Sequence, residues 1–293
     1  MRTNSSRRFS LVVVTIIVLC WPMAARAQRE AWTRAYLGFD ANDYPGDAAL
    51  PRLRQTFAFA GYWLNNPPGT SPAASRTDSD TWLGHRTDLA KLGFGFLVLF
   101  NGRFDRELKS VANARTLAAG DARSAAATAK TEGFPPGTVI FVDQEEGGSM
   151  DDAQMAYLLA WFDGVTAAGF RAGIYCSGMP ASEGQGIFTV TANYIRGRVG
   201  KRKIVYFVYN DACPPSPGCV YPPSPPRPAA SGVPFAAAWQ ISQSPRRRRL
   251  TRSCASTYNR DGNCYAPGMG PGSPLLDIDT ATSPDPSDGR QGQ

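Results

Sequence analysis

The sequence predicts an α/β fold built as a single (β/α)8 barrel of the TIM type. Three observations favour this fold. Short apolar runs that end at Asp, Asn or Gly alternate with helix-like stretches, which is the order of parallel strands joined by helical crossovers. Several runs, such as 94–100, are apolar at nearly every position, as a sheet covered on both faces requires. Eight such runs in about 250 residues fit one barrel.

The first 27 residues are expected to be a secretory signal peptide. Arg2, Arg7 and Arg8 give a positive start, 11–21 is an apolar run, and Ala25-Arg26-Ala27 is a small-x-small cleavage site. We therefore predict a secreted or periplasmic protein cleaved near Ala27, exported by either the general or the twin-arginine route. The polar residues 281–293 are expected to form a disordered tail, so the predicted barrel domain spans 28–280.

The predicted strands, in chain order, are 36–40, 57–64, 94–100, 138–143, 171–176, 204–209, 235–240 and 275–279. Residues 151–168 form the strongest predicted helix, because their apolar positions recur at helical spacing and Gly169 follows. The Ala-rich stretch 106–131 is a second predicted helix. Residues 211–234 are too rich in proline for a helix, so we expect an irregular insertion after the sixth strand.

Five cysteines remain after the predicted cleavage, in a chain whose export permits disulfides. Cys213 and Cys219 bracket a short Pro-rich segment, and Cys254 and Cys264 bracket a polar loop. We expect two local disulfides that pin the insertion, although other pairings stay open from sequence. Cys176 is then left as a small apolar core residue.

The charge of the chain does not favour a nucleic-acid partner. The 293 residues carry 31 Lys and Arg against 24 Asp and Glu, a net charge of +7. Removing the four arginines of 1–27 lowers the charge to +3, and four of the remaining cations form the single run 246–249. That run is interpreted as a solvated loop, with binding of an anionic wall polymer as the alternative. We predict no nucleic-acid partner and no stable membrane anchor, and the oligomeric state stays open.

The cofactor and metal chemistry that the sequence can support is narrow. No Gly-x-Gly-x-x-Gly turn follows a strand, so a dinucleotide site has no support. The single histidine, His85, excludes His-rich zinc sites, and no nucleophile motif accompanies it. We therefore interpret His85 as a loop or helix-start residue and predict no cofactor and no metal. Catalysis, if present, falls to carboxylates.

Acidic residues gather where the predicted strands end. Asp40 ends the first strand, Asp143 and Glu145 end the fourth, and Asp277 and Asp279 end the eighth. The carboxyl ends of barrel strands form the active face, and residues two apart in an extended chain point to the same side. Two converging carboxyls separate their pKa values, so that one donates a proton while the other stays ionised. Glycoside hydrolysis requires this pair; the alternative is that the acids cap loops and helix starts.

Aromatic residues near these acids favour a sugar partner, because flat rings stack on pyranose faces. Tyr62 lies near the end of the second strand, Tyr175 on the fifth and Trp239 on the seventh. We predict that these three rings, together with Asp277 and Asp279, contact the substrate. Aromatic residues in strands also serve as core, and that alternative remains for each.

Four short motifs resemble, in the same order, those of the family 25 lysozymes (N-acetylmuramidases). They are the opening Gly38-Phe39-Asp40-Ala41-Asn42-Asp43-Tyr44-Pro45-Gly46, the pair Asp143-x-Glu145, the run Trp239-Gln240-Ile241-Ser242 and the run Leu276-Asp277-Ile278-Asp279. They are still more similar to a sister group, the secreted glycoside-hydrolase-like barrel domains of unknown function.

The resemblance implies roles for the acids and a substrate. Glu145 would be the general acid, Asp143 the anion that either stabilises charge or orients the nucleophile, and Asp40 with Asp277 or Asp279 the supporting carboxylates. The implied substrate is the β-1,4 muramyl bond of peptidoglycan. Two hypotheses follow: a secreted glycoside hydrolase acting on cell-wall polysaccharide, or a catalytically inactive barrel that binds glycan or another wall component.

Overall fold

The computed structural model describes residues 34–68 and 81–290. The predicted signal peptide lies outside these residues, so it stays a prediction. The described chain contains five α-helices, which are α1 (Leu50–Arg54), α2 (Arg86–Lys91), α3 (Val111–Thr131), α4 (Asp152–Ala167) and α5 (Thr191–Arg196). No helix in this part of the chain has the length and apolar character needed to cross a membrane.

The core is a closed barrel of eight strands. The strands of the structure are β1 (Tyr36–Asp40), β2 (Phe59–Trp63), β3 (Gly95–Asn101), β4 (Val139–Gln144), β5 (Arg171–Ser177), β6 (Pro180–Gly184), β7 (Ile187–Val190), β8 (Val205–Tyr209), β9 (Ala238–Ser242) and β10 (Asp277–Ala281). The barrel runs β1-β2-β3-β4-β5-β8-β9-β10 and closes on β1, while β6 and β7 form a separate hairpin. The prediction of an α/β fold with an eight-stranded barrel is confirmed.

The last strand departs from the predicted parallel arrangement. The other seven barrel strands pair in parallel along the order β1-β2-β3-β4-β5-β8-β9, whereas β10 is antiparallel to both β9 and β1. The prediction that Asp277 and Asp279 end the eighth strand is therefore wrong, because Asp277 begins it. Since the strand is also reversed, Asp277 pairs with Asp40 and lies at the rim formed by the carboxyl ends of the parallel strands, here called the upper rim.

The regular alternation of strands and helices also stops early. Helices α3 and α4 are long and well capped, with Ser110 accepting from the Asn113 amide and Asp151 from the Gln154 amide. After β8, however, only 3₁₀ turns at Pro228–Ser231 and Arg252–Thr257 join the last three strands. The proline-rich sequence explains this, because each proline lacks the amide that a helix interior needs. The expected irregular insertion after the sixth barrel strand is thus present.

Two disulfides hold this irregular region, but not in the predicted pairing. Cys213 bonds to Cys254 and Cys219 to Cys264, with Cα atoms 6.0 and 5.7 Å apart. The four predicted cysteines are the bonded ones, and the local pairing is wrong because the segment after β8 lies beside the segment between β9 and β10. The Cys219 amide, for example, donates to Thr257 Oγ1 at 2.9 Å. Cys176 is free and fully buried, which confirms its predicted place in the core.

The predicted disordered tail is wrong for residues 281–290; residues 291–293 lie outside the described chain. Strand β3 pairs with β4 only from Val98 onward, and the tail occupies the gap below. Asp285 Oδ1 accepts from the Phe96 amide and Ser287 Oγ from the Val98 amide, each at 2.8 Å. These side chains satisfy backbone donors that would otherwise be buried without partners, and composition alone does not show this.

Candidate active site

The alternation of side chains along the strands decides which residues face the barrel interior. A Cβ on Gly61 would lie 2.5 Å from Asp40 Cβ, so Gly61 leaves the space that Asp40 occupies. Lower in the barrel, the Phe141 and Phe207 rings pack with centroids 6.1 Å apart, and Tyr175 packs on Phe207 at 4.6 Å. The interior is therefore apolar below and becomes polar toward the upper rim.

Gln240 connects the polar side chains below the upper rim, which are here called the polar layer. Its Nε2 donates to Asp40 Oδ2 at 2.8 Å and to Asp277 Oδ2 at 3.2 Å. Its Oε1 accepts from the Tyr175 hydroxyl at 2.7 Å and from Gln243 Nε2 at 2.8 Å. Because both ends of the amide are engaged, its orientation is fixed with the donor toward the carboxylates.

The buried carboxyls in this layer and directly below it all have raised pKa values. Burial raises the pKa of Asp40 to about 6, and the hydrogen bond from Gln240 opposes the rise. Burial raises the pKa values of Asp143, Asp277 and Asp279 well above the usual range, and the nearby carboxylates add to the rise. Asp40 is among the neighbouring charges in all three cases. The cluster consequently holds protons at pH values where isolated carboxyls are ionised.

Asp143 and Glu145 differ in exposure. Asp143 is 5% exposed, and its buried Oδ1 has no hydrogen-bond partner among the described residues. Glu145 follows the strand and is exposed on one side. The protein packed on its other side raises its pKa, against the lowering effect of the Arg247 charge. The Tyr209 hydroxyl donates to the Glu145 carbonyl oxygen at 2.7 Å, so the backbone of the exposed acid is held in place.

The structure thus brings together the predicted acids Asp40, Asp143, Glu145 and Asp277 with Tyr175. Tyr175 is almost completely buried beneath them, and the charges of all four acids act on its hydroxyl to raise its pKa, after burial itself. Its predicted contact with a substrate stays a prediction. Its hydroxyl donates to Gln240 Oε1, so Tyr175 also helps to fix the side chains of the polar layer.

Two predicted substrate contacts, Tyr62 and Trp239, are wrong. Both side chains are fully buried. The Tyr62 hydroxyl donates to Glu132 Oε2, and the Trp239 indole donates to the Asn210 carbonyl oxygen at 2.9 Å. Each ring points outward toward the surrounding helices and loops, because it lies one residue out of phase with the inward-facing positions of its strand.

Asp279 is also misplaced as a substrate contact. It is fully buried, it pairs across the strands with Gly38, and its carboxyl interacts with the buried carboxyl of Asp40. It therefore lies below the layer that contains Asp40 and Asp277, out of reach of a ligand at the rim. Asp277 itself remains at the rim, where its Oδ1 accepts from the Ser244 amide at 2.6 Å.

Sequence reasoning missed Trp63, Gln240 and Arg247 as site residues. Trp63 is in phase with Gly61, is 5% exposed and has a buried Nε1 without a partner in the described chain. Gln240 carries an amide side chain in an otherwise apolar strand, and this sequence signal could have identified it as a site residue. Arg247 belongs to the run predicted to be solvated, yet it pairs with Asp211, which is fully buried. No sequence signal distinguishes it from its three neighbours.

Two open clefts lie near the strand ends. One, of about 480 Å³, is lined by Asp277, Ser244 and the segments 41–45 and 273–275. The other, of about 570 Å³, is lined by the segments 65–66 and 101–104 with three charged side chains beyond them. The space that Asp143 and Glu145 line directly is only about 10 Å³ and adjoins the second cleft, with which it shares the segment 101–104. In the described chain, no group of three or more His, Cys, Asp or Glu is arranged to hold a metal ion.

The comparison with known families agrees with the resemblance predicted from the sequence. Residues 59–201 match the family model of the Rv2525c-like, glycoside hydrolase-like domain. That resemblance is confirmed. The matched region contains Asp143 and Glu145, whereas Asp40, Gln240 and Asp277 lie outside it. No curated protein matches the chain.

Solved structures of similar fold cover most of the chain. An uncharacterized protein of B. stearothermophilus is 19% identical, with a TM-score of 0.53 over 84% of this chain and 95% of that one, which supports the barrel fold. The Tat-secreted protein Rv2525c of Mycobacterium tuberculosis, in complex with L-tartrate, is 12% identical, with a TM-score of 0.47 over 86% of this chain and 97% of that one. The catalytic domain of endolysin ply40 from bacteriophage P40 of Listeria monocytogenes is 16% identical, with a TM-score of 0.47 over 85% and 93%.

Proposed function

We propose that this protein is a secreted glycoside hydrolase that cleaves a cell-wall polysaccharide, peptidoglycan, with Glu145 as the general acid. The observation that carries the proposal is the placement of Asp143 and Glu145. One carboxyl is buried in the floor of the upper rim, and the other stands at its solvent-exposed mouth. The family match over 59–201, which contains both acids, supports it. The signal-like sequence of residues 1–27 supports export.

The geometry suggests a division of labour between the carboxyls. Glu145 reaches the leaving oxygen of a glycan from the mouth, and its raised pKa keeps a proton available. As that oxygen takes the proton, the bond from the anomeric carbon breaks and positive charge develops on the sugar ring. Asp40, held by Gln240, supplies negative charge near the sugar above about pH 6. Asp143 adds negative charge from below once it has lost the proton that its raised pKa favours. Water then completes the cleavage.

The two clefts provide room for sugar residues near the acids. Their volumes, about 480 and 570 Å³, fall within the usual range for ligand sites.

The test is a pair of nearly isosteric substitutions. Glu145→Gln and Asp143→Asn are each expected to abolish the release of reducing ends from purified peptidoglycan while binding to the insoluble wall survives. Asp152→Asn, an exposed acid in the first turn of α4, is the matched control and is expected to keep the activity. Equal activity in the Glu145→Gln variant would refute the assigned role.

A second function, binding of glycan without cleavage, is favoured by one observation. The space that Asp143 and Glu145 line directly is about 10 Å³, which is about the volume one water molecule requires. If the unsubstituted protein binds wall material but releases no reducing ends between pH 4 and pH 8, the hydrolase is excluded and the binding function stands.

A further inference from the structure

Arg247 is fixed beside the mouth of the site by a buried acid. Its Nε donates to Asp211 Oδ2 at 2.9 Å and its Nη2 donates to Asp211 Oδ1. Asp211 is fully buried just after β8. A two-point contact of this kind fixes the plane of the guanidinium as well as its position. Arg247 therefore holds one orientation, in contrast to a mobile surface cation.

The Arg247 guanidinium and the Glu145 backbone both contact Tyr209. Its central carbon lies 5.4 Å from the centroid of the Tyr209 ring, and the hydroxyl of the same ring holds the Glu145 backbone. The Arg247 charge acts on Glu145, yet its ion pair is with Asp211. The cation and the exposed acid are thus neighbours that are not neutralised by one another.

One nitrogen of the Arg247 guanidinium takes no part in these contacts: Nη2 also lies 3.6 Å from Met179 Sδ, but Nη1 is not used. The Arg247 side chain is 36% exposed, and Nη1 donates to no residue of the described chain. Two other arginines contact an aspartate through Nε and Nη2 in the same way, and in both the Nη1 is occupied. Arg202 Nη1 donates to the Val199 carbonyl and Arg103 Nη1 to Glu107, each at 3.2 Å.

We propose that Arg247 is a specificity residue that binds a carboxylate substituent of the glycan beside Glu145. This inference rests on the proposed function, since it concerns the same site. The acids of the site repel an anionic ligand when they are ionised, as Asp40 is above about pH 6, so a carboxylate on the substrate is best accommodated beside a cation. Binding it at Arg247 places the anionic sugar toward the loop after β9 and gives the glycan a single direction across the site.

The test measures binding in the Glu145→Gln protein, so that cleavage does not interfere. Dissociation constants are measured by calorimetry for soluble peptidoglycan fragments with free carboxylates and for the same fragments with the carboxyls reduced to alcohols. Adding Arg247→Gln is expected to raise the dissociation constant of the carboxylate form by about tenfold or more, as loss of a charge-assisted hydrogen bond does. The reduced form is expected to bind equally well with and without the substitution.

Two further variants separate recognition from folding. Arg248→Gln removes the same charge from an exposed neighbour in the loop and is expected to change neither constant. Asp211→Asn combined with Arg247→Gln avoids a buried unpaired carboxylate and is expected to discriminate as poorly as Arg247→Gln alone. Unchanged binding of the carboxylate form, or an equal loss for both forms, would overturn the inference. A wild-type protein that distinguishes the two forms through Arg247 but releases no reducing ends would contradict the proposed hydrolase alone.

Discussion

Asp40 is expected to destabilise the folded protein at neutral pH, and Asp40→Asn to relieve that cost. Its carboxyl is 5% exposed, and burial raises its pKa to about 6 from an ordinary value of 3.8. The folded state therefore binds this proton more tightly than the unfolded chain does. Stability falls as the pH rises from about 4 to about 6, the window in which only the unfolded chain is ionised. The difference of about 2 pH units corresponds to about 3 kcal/mol.

The asparagine carries no charge at any pH, so the stability of the variant does not fall between pH 4 and pH 6 for this reason. Relative to the wild type, we expect its free energy of unfolding to improve by about 2 to 3 kcal/mol between pH 4 and pH 7.5. The neighbouring carboxyls change the result in the same direction, because the Asp40 charge raises the pKa values of Asp143, Asp277 and Asp279. Cleavage of glycan should fall in the same variant, which separates stability from activity.

Urea unfolding at the two pH values measures the effect. Asp163→Asn is the control, since Asp163 lies at the surface and its hydrogen bonds with Arg202 lower its pKa. Its loss costs about 1 kcal/mol or less at pH 7.5 and costs less at pH 4. A stability difference between Asp40→Asn and wild type that does not change with pH would refute the reasoning.

Three further predictions concern packing and support of the site. Gly61→Ala should reduce cleavage at least tenfold and cost about 1 to 3 kcal/mol in urea unfolding, because the added Cβ meets the Asp40 side chain at 2.5 Å. Gly120→Ala, in open space within α3, should stabilise the protein by about 0.5 to 1 kcal/mol in the same assay. Tyr209→Phe should lower kcat, because it removes the hydrogen bond that holds the backbone of Glu145. The hydroxyl of Tyr206 has no partner in the described chain, so Tyr206→Phe is the control and should leave kcat unchanged. Equal kcat values in the two variants would contradict this prediction. Ser287→Ala should cost about 1 to 3 kcal/mol in urea, since it leaves a buried β3 amide unpaired, and an unchanged midpoint would show that the tail does not support the barrel.

The strands and long helices were predictable because local patterns determine them. Continuous apolar runs such as 94–100 and the capped helix at 152–167 carry their signal within a few residues. The antiparallel direction of β10 was not predictable in this way, since a five-residue strand has the same pattern in either direction. Asp277 nevertheless lies at the upper rim, because it begins the strand instead of ending it and the strand runs in the opposite direction.

The candidate site was predictable for its acids and less so for its aromatic residues. Asp143 and Glu145 stood out because charge at the end of an apolar strand is costly unless it is used or paired. Tyr62 and Trp63 are adjacent aromatic residues, and only the barrel shows that Trp63 takes the inward phase with Gly61. The disulfide pairing and the contact between Arg247 and Asp211 join segments far apart in sequence, so loop packing decides them.

The most direct test of the central claim is hydrolysis of purified peptidoglycan in water labelled with ¹⁸O. Mass spectrometry of the soluble products counts the label at each new reducing end. Because water completes the cleavage in the proposed reaction, the wild-type protein should produce glycan fragments that carry one ¹⁸O per new end. The Glu145→Gln variant should produce none while still binding the wall. No labelled ends from the wild type, or equal labelling from both proteins, would contradict the assignment of Glu145 as the general acid.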